Sequence, residues 1–284
     1  MRKLFFTIVL CAATLAGYSQ DAAALINSAN EALQAKDYAK AFEQYDAAMK
    51  NLGDVQVDAS INYNIGFAAF QADKFENAIS YFNKAIEANA NVAKSYEFIG
   101  TSYAKLNKFD EAIVAYKKSV ETGAEDKGSI YYNGGVVAYQ GKKYDQAVEL
   151  FDLAIAENYE NANNAYMNKS MALKRLNKDE ESKQALVEAA EKFPGNSNIG
   201  KALANVYVGE ANELYKKGAA ILKAAGDKVN AGTLKTTDAA YTSELNKSKV
   251  EFKAALEILL KAKELDATNA NVGKLIPACE AALK

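Results

Sequence analysis

Apolar residues recur along this chain at three- and four-residue intervals, in stretches that are separated by short polar turns. The turns at 71–74 and 106–108 are examples. This spacing predicts amphipathic helices, because residues three and four apart lie on one face of a helix. Turns this short predict that consecutive helices pair antiparallel. Strand-like alternation is nowhere long enough to compete, so the pattern predicts an all-α chain of helical hairpins.

The hairpins repeat with a nearly constant period. The segments KFENAI, KFDEAI and KYDQAV occupy 74–79, 108–113 and 143–148, so they begin 34 and then 35 residues apart. Successive units begin at Ala22, Ala59, Ala93, Gly128, Asn163 and Ser197. One hairpin cannot bury its apolar face alone, so a period of this length predicts that neighbouring units stack on each other.

Small and large residues occupy fixed places within each unit. The eighth place is small in all six units: Ala29, Gly66, Gly100, Gly135, Ser170 and Ala204. The twenty-fourth place is large: Tyr45, Phe82, Tyr116, Phe151, Leu186 and, after an insertion, Leu259. The twentieth and twenty-seventh places are small again, as at Ala41 and Ala48. Small residues let two helix axes approach closely, and large residues fill the adjacent gaps.

This arrangement resembles the tetratricopeptide repeat family, and the resemblance covers nearly all of the chain after residue 19. Pro194 also falls where that family has a proline between repeats, and where a helix must stop. The resemblance implies an all-α, right-handed superhelical solenoid of helical hairpins. Five units would occupy 20–196. Units of this kind bind other molecules, so we expect a scaffold and not an enzyme.

The sixth unit, 197–270, departs from the repeat. Its second helix resumes near Val250, far later than a standard unit would place it. The intervening sequence predicts a long C-terminal helical hairpin that turns between Gly226 and Thr237, with Gly218 allowing close approach of its two helices. Residues 271–284 would form a capping helix, kinked or started at Pro277.

The first nineteen residues have the pattern of a cleavable signal peptide. Arg2 and Lys3 precede an apolar stretch over 4–16, and 17–19 place small residues before a cleavage point ahead of Gln20. We expect export to the periplasm or the exterior, with the outer membrane as one place of association. The apolar stretch is too short to span a bilayer comfortably, so a retained anchor is the alternative and the mature chain would have no integral span.

Composition narrows the possible chemistry. The chain has no histidine, which removes the commonest general base, the commonest transition-metal ligand and every Ser/His or Cys/His pair. We therefore expect no catalytic residue, no metal site and no cofactor. The net charge of −2 and the lack of a basic stripe argue against a nucleic-acid partner. Loss of Cys11 with the signal peptide would leave Cys279 without a partner for a disulfide.

The resemblance also implies an inner groove, lined by the second, fifth, sixth, ninth and twelfth places of the first helix in each unit. The candidate partner-binding residues at these places are Asn30, Tyr63, Asn64, Phe67, Phe70, Lys94, Phe98, Tyr132, Asn133, Tyr139, Met167, Asn168 and Met171. Apolar surface mixed with amide groups suits an extended segment of a protein partner. The expected function is a protein–protein interaction scaffold of the cell envelope.

Several alternatives remain open at this point. The same aromatic rings could pack between adjacent helices and bind nothing, which would make the protein a structural spacer of the envelope. Aromatic side chains in a groove also stack on sugars, although the absence of tryptophan weakens the hypothesis of glycan binding. Family members that bind chaperones clamp a terminal carboxylate. Asn30, Asn64 and Lys94 match that clamp, but Ile26 and Phe98 replace two of its three cations, so we expect no clamp.

Overall fold

The computed structural model describes residues 17–284, with side chains from residue 22 onward; residues 1–16 of the predicted signal peptide lie outside this range. The described residues form thirteen helices and no strand, which confirms the predicted all-α fold. The helices are α1 (Gly17–Gln34), α2 (Tyr38–Lys50), α3 (Ile61–Gln71), α4 (Phe75–Glu87), α5 (Val92–Lys105), α6 (Phe109–Glu121), α7 (Lys127–Gln140), α8 (Tyr144–Ala156), α9 (Ala162–Arg175), α10 (Asp179–Lys192), α11 (Ser197–Asn230), α12 (Ala239–Leu265) and α13 (Ala270–Leu283).

The chain divides into two compact units, Met1–Ala165 and Tyr166–Lys284. Within the first unit, α1 packs on α2, α3 on α4, α5 on α6, and α7 on α8, as antiparallel hairpins. The first helices of neighbouring hairpins also touch, since α3 contacts α5 and α5 contacts α7. These three helices therefore form a continuous row along one side of the first unit, and most of the candidate residues lie on this row.

The turns inside the hairpins share one backbone conformation. A single residue in the left-handed conformation follows each first helix, at Lys36, Asp73, Asn107, Lys142 and Asn177. The next backbone N–H then reaches back five residues, as from Lys74 to the carbonyl of Ala69 at 2.9 Å. This Schellman arrangement satisfies the last carbonyls of the helix and reverses the chain at once. It explains why the second helix of each hairpin can begin so soon after the first one ends.

The small eighth residue lies directly under the ring at the twenty-fourth place. A β-carbon added to Gly66 would lie 2.8 Å from the ring of Phe82, and one added to Gly135 would lie 2.7 Å from the ring of Phe151. Both rings are fully buried. In the fifth hairpin the eighth place is Ser170, whose hydroxyl lies 2.9 Å from that of Ser182 at the twentieth place, and Ser182 also donates to the Ser170 carbonyl.

In the second unit, α11 and α12 form the long hairpin. Small buried residues recur every seven positions along α11, at Ala204, Ala211, Gly218 and Ala225. The ring of Phe252 lies 3.0 Å from the place where a β-carbon on Gly218 would be. The long hairpin is therefore packed by the same pairing of a glycine with an aromatic ring as the standard repeats.

The ends of the helices in this region differ from the sequence expectation. α11 continues through Gly226 to Asn230, so the turn begins five residues later than predicted. The capping helix predicted over 271–284 is α13, which begins at Ala270; the Asn269 side chain accepts hydrogen bonds from the backbone N–H groups of Asn271 and Val272, and Pro277 lies inside the helix and not at its start. An N-cap of this kind fixes the helix start more strongly than a proline downstream does.

Candidate partner-binding surface

Three of the predicted aromatic residues gather around the ring of a fourth, Phe98. Its ring centroid lies 5.0 Å from that of Phe70, 5.6 Å from Phe67 and 6.3 Å from Tyr63. We call Tyr63, Phe67, Phe70 and Phe98 the Phe98 cluster. Phe98 also stacks at 5.2 Å on the buried ring of Phe82. All four cluster residues are partly buried, so each ring both packs on the core and presents surface to solvent.

Two further rings border this cluster, and the repeat pattern did not predict them as part of the site. Tyr38 meets Phe67 edge-on at 5.9 Å, and Phe75 meets Phe70 at the same distance. Both belong to the first turn of a second helix, where an aromatic residue recurs in the first four units. That recurrence was a visible signal, but it gave no indication that these rings would reach the row of first helices.

Tyr132 and Tyr139 belong to other ring contacts. Tyr132 stacks on Tyr159 at 4.8 Å and contacts the buried Phe151 at 5.8 Å, while Tyr139 meets Tyr144 at 5.4 Å. Both tyrosines remain partly buried. The predicted aromatic patch is therefore resolved into the Phe98 cluster on α3 and α5 and a separate set of tyrosine pairs around α7.

Two of the polar candidate side chains already form polar contacts with other residues of the chain. The ammonium group of Lys94 lies 2.7 Å from the carboxylate of Glu97 and 5.5 Å from the Phe98 ring centroid. The side-chain oxygen of Asn30 accepts a hydrogen bond from the hydroxyl of Tyr45. Of the three residues that match a carboxylate clamp, Lys94 and Asn30 are thus already paired.

Asn64 and Asn133 stand apart from these pairs. Both are partly buried on the row of first helices, and neither side chain makes a hydrogen bond with any residue that the structure describes. A side-chain amide offers two donors and an acceptor with two lone pairs, which is the complement of a peptide group. Among the polar candidates of the first unit, these two are therefore the ones whose side chains a ligand could engage without displacing an internal partner.

The remaining candidates belong to the second unit. Met171 is 50 % exposed on α9, whereas Met167 and Asn168 are partly buried there. Met171 is one of the most exposed large apolar side chains in the described part of the chain.

Two phenol groups, that of Tyr63 in the Phe98 cluster and that of Tyr116 on α6, stay neutral at ordinary pH. Burial, together with the Glu97 carboxylate, raises the pKa of Tyr63 to about 12. Burial likewise raises the pKa of Tyr116, whose hydroxyl lies 3.0 Å from that of Thr101. Tyr63 and Tyr116 therefore contribute no negative charge at ordinary pH.

Comparison with known families fits this architecture. Models of the tetratricopeptide repeat match residues 59–92, 99–165 and 164–191, which include all of α3 and α7 and the second half of α5. The chain is a tetratricopeptide repeat protein.

Solved structures share the tetratricopeptide repeat fold. A tetratricopeptide repeat protein from Parabacteroides merdae is 18 % identical, with a TM-score of 0.50 over 92 % of this chain and 99 % of that one. The MamA protein is 17 % identical, with a TM-score of 0.51 over 61 % of this chain and 92 % of that one. No curated protein matches the sequence.

Tetratricopeptide repeat proteins are in general scaffolds for protein–protein interaction and not catalysts, so the fold supports a protein or peptide partner. It gives no support to a glycan ligand. Within residues 17–284, no helix combines the length and apolar character that crossing a bilayer requires.

Proposed function

We propose that this tetratricopeptide repeat protein is a scaffold of the cell envelope that binds an extended segment of a partner polypeptide along α3, α5 and α7. The observation that carries the proposal is the Phe98 cluster beside the unpaired amide of Asn64. Partly exposed rings offer apolar contact, and an amide without an internal partner offers hydrogen bonds to a peptide group.

The apolar area of the four rings is too small to give measurable affinity without hydrogen bonds from the polar groups. A partly buried ring exposes on the order of 40 Å², so four rings at about 25 cal/mol per Å² give roughly 4 kcal/mol. Association costs about 4–15 kcal/mol. The apolar area that the ligand itself buries and its hydrogen bonds to Asn64 and Asn133 must supply the difference. We therefore expect weak binding, with a Kd of tens of micromolar or higher.

The proposal is tested with a matched pair of substitutions in one hairpin. Asn64→Arg adds bulk and charge to the row of first helices, whereas Asn83→Arg makes the same change at an exposed position of α4. Random seven-residue segments displayed on phage are selected on the wild-type protein. We expect the selected segments to bind Asn64→Arg at least tenfold more weakly, because the arginine obstructs the cluster, and to bind Asn83→Arg as they bind the wild type.

Circular dichroism and melting temperature establish that both variants are folded. Equal binding to both variants would place the ligand elsewhere. Failure to enrich any segment over an unrelated protein would instead favour the structural-spacer alternative, in which the stacking of Phe98 on Phe82 serves packing alone.

Location in the envelope is part of the same proposal. Support comes from the two cations, Arg2 and Lys3, ahead of the apolar stretch over 4–16. Cell fractionation and N-terminal sequencing of the mature chain test it, with a new terminus at Gln20 as the expected result. A cytoplasmic chain that retains Met1 would contradict the location without affecting the binding surface.

A further inference from the structure

The row of first helices in the first unit is almost devoid of charge. α3 contains no Asp, Glu, Lys or Arg, and α7 contains only Lys127, in its first turn. The second helices are different: α6, for example, carries Asp110, Glu111, Lys117 and Lys118. The scarcity of charge is therefore a property of the candidate binding surface and not of the whole unit.

The charges that α5 does carry beside the Phe98 cluster cancel each other. Lys94 and Glu97 form an ion pair at 2.7 Å, and the same lysine lies over the Phe98 ring. Lys105 is exposed in the last turn of the helix. A ligand that meets the Phe98 cluster therefore finds a neutral ion pair, the Asn64 amide and aromatic rings.

We infer that the ligand is an uncharged stretch from the interior of a polypeptide, bound through apolar side chains and its main chain, and not a charged tail or a free terminus. This inference rests on the proposed function. A charged side chain or terminal carboxylate would lose hydration against the rings, and the row of α3, α5 and α7 offers only Lys105 and Lys127, in end turns of their helices, as charges outside the Lys94–Glu97 pair. A main-chain peptide group loses less, because Asn64 and Asn133 can replace its bonds to water.

The length of the stretch follows from the spacing of the helices. Packed helices lie about 8–10 Å apart, so α3 and α7, with α5 between them, are separated by roughly 20 Å. An extended chain advances about 3.3 Å per residue. About six residues would therefore reach from the Phe98 cluster to Asn133.

Two phage libraries of seven random residues test the inference, one with the segment between Gly-Ser linkers and one with it at a free C-terminus. We expect both to yield segments enriched in apolar and aromatic residues and depleted in Asp, Glu, Lys and Arg. Synthetic peptides of these sequences should bind equally as amides and as free acids. Their affinity should change by less than about twofold between roughly 50 and 500 mM NaCl, because no ion pair is formed.

A milder substitution tests the main-chain contact. Asn64→Ala should weaken these peptides about threefold to tenfold through the lost hydrogen bonds, with Asn83→Ala as the unchanged control. Unchanged affinity in Asn64→Ala would contradict the role given to the amide.

The outcomes separate this inference from the proposed function. If the selected segments are charged, need a free carboxylate or bind much more weakly in high salt, yet still lose binding to Asn64→Arg, the inference is wrong and the binding surface stands. If the binding of the selected segments is unaffected by Asn64→Arg, both the inference and the proposed binding surface are wrong.

Discussion

At the scale of single residues, the absence of a β-carbon decides how closely the two helices of a hairpin approach. Gly135 sits under the fully buried ring of Phe151, and a β-carbon there would come within 2.7 Å of it. The adjacent Gly134 faces Leu150, with an ordinary distance of 3.5 Å for the same added atom. Two neighbouring glycines of one helix thus have different roles.

This difference predicts opposite effects of one substitution. Gly135→Ala should lower the free energy of unfolding by about 1–2 kcal/mol, because overpacking costs about 1–3 kcal/mol and the better helix propensity of alanine returns up to about 1. Gly134→Ala should be neutral or stabilising by up to about 1 kcal/mol. Urea unfolding followed by circular dichroism measures both. A loss of stability as large in Gly134→Ala as in Gly135→Ala would show that close approach is not the reason for the glycine.

At the scale of elements, one polar contact ties neighbouring hairpins together. The hydroxyl of Tyr81 on α4 donates to Asp46 on α2 at 2.7 Å, and Lys50 lies 2.6 Å from the same carboxylate. Burial alone would raise the pKa of Asp46, but the hydrogen bonds from Lys50 and Tyr81 and the charges of Lys50 and Lys84 hold that pKa below its ordinary value.

The sign of this shift fixes the pH dependence of stability. Because the folded-state pKa is depressed, the stabilisation is present above the unfolded pKa of about 4 and is lost as the pH falls through the folded value. Asp46→Asn should therefore cost about 1 kcal/mol at neutral pH and nothing at about pH 2. Urea titrations at several pH values measure this, with Asp54→Asn in the exposed loop after α2 as the control. A deficit that is independent of pH would show that ionisation of Asp46 is not involved.

Much of this level of structure was predictable, because the eighth and twenty-fourth places specify which residues meet inside a hairpin. The Gly66 and Phe82 contact follows from those places alone. The candidate surface was less predictable. Periodicity indicates the face on which Phe98 lies, but its stacking on Phe82 and the pairing of Lys94 with Glu97 depend on side-chain rotamers. Tyr132 was predicted to join the patch, and the stacking partner that it has instead, Tyr159, lies in the connection after α8.

At the scale of the whole molecule, contacts join mainly neighbours in sequence, so the end of the chain can open while the rest stays folded. Cys279 reports on that end. It is fully buried on α13 among Leu259, Ala262 and Val272. Burial, aided by the Glu280 carboxylate, also raises the pKa of its thiol.

Thiol labelling in a Cys11→Ser background should therefore be slow in native buffer, by at least about a hundredfold relative to the urea-unfolded chain. It should become fast at urea concentrations below the midpoint seen by circular dichroism, because α13 opens before the remaining hairpins. The measurement is the rate of reaction with an aromatic disulfide reagent. Labelling that tracks the circular dichroism curve would mean that the terminal helix unfolds only with the rest of the chain.

Because small side chains recur every seven residues on α11, the length of the long hairpin of α11 and α12, here called the arm, can change in steps of seven residues. Deleting residues 219–225 from α11 together with residues 245–251 from α12 would leave Gly218 beneath Phe252 and draw the tip of the arm inward by about 10 Å. Inserting seven residues into each of the two helices would move the tip outward by as much. Evolution or design can thus set how far the arm extends in whole steps, with the base beside α13 left as it is.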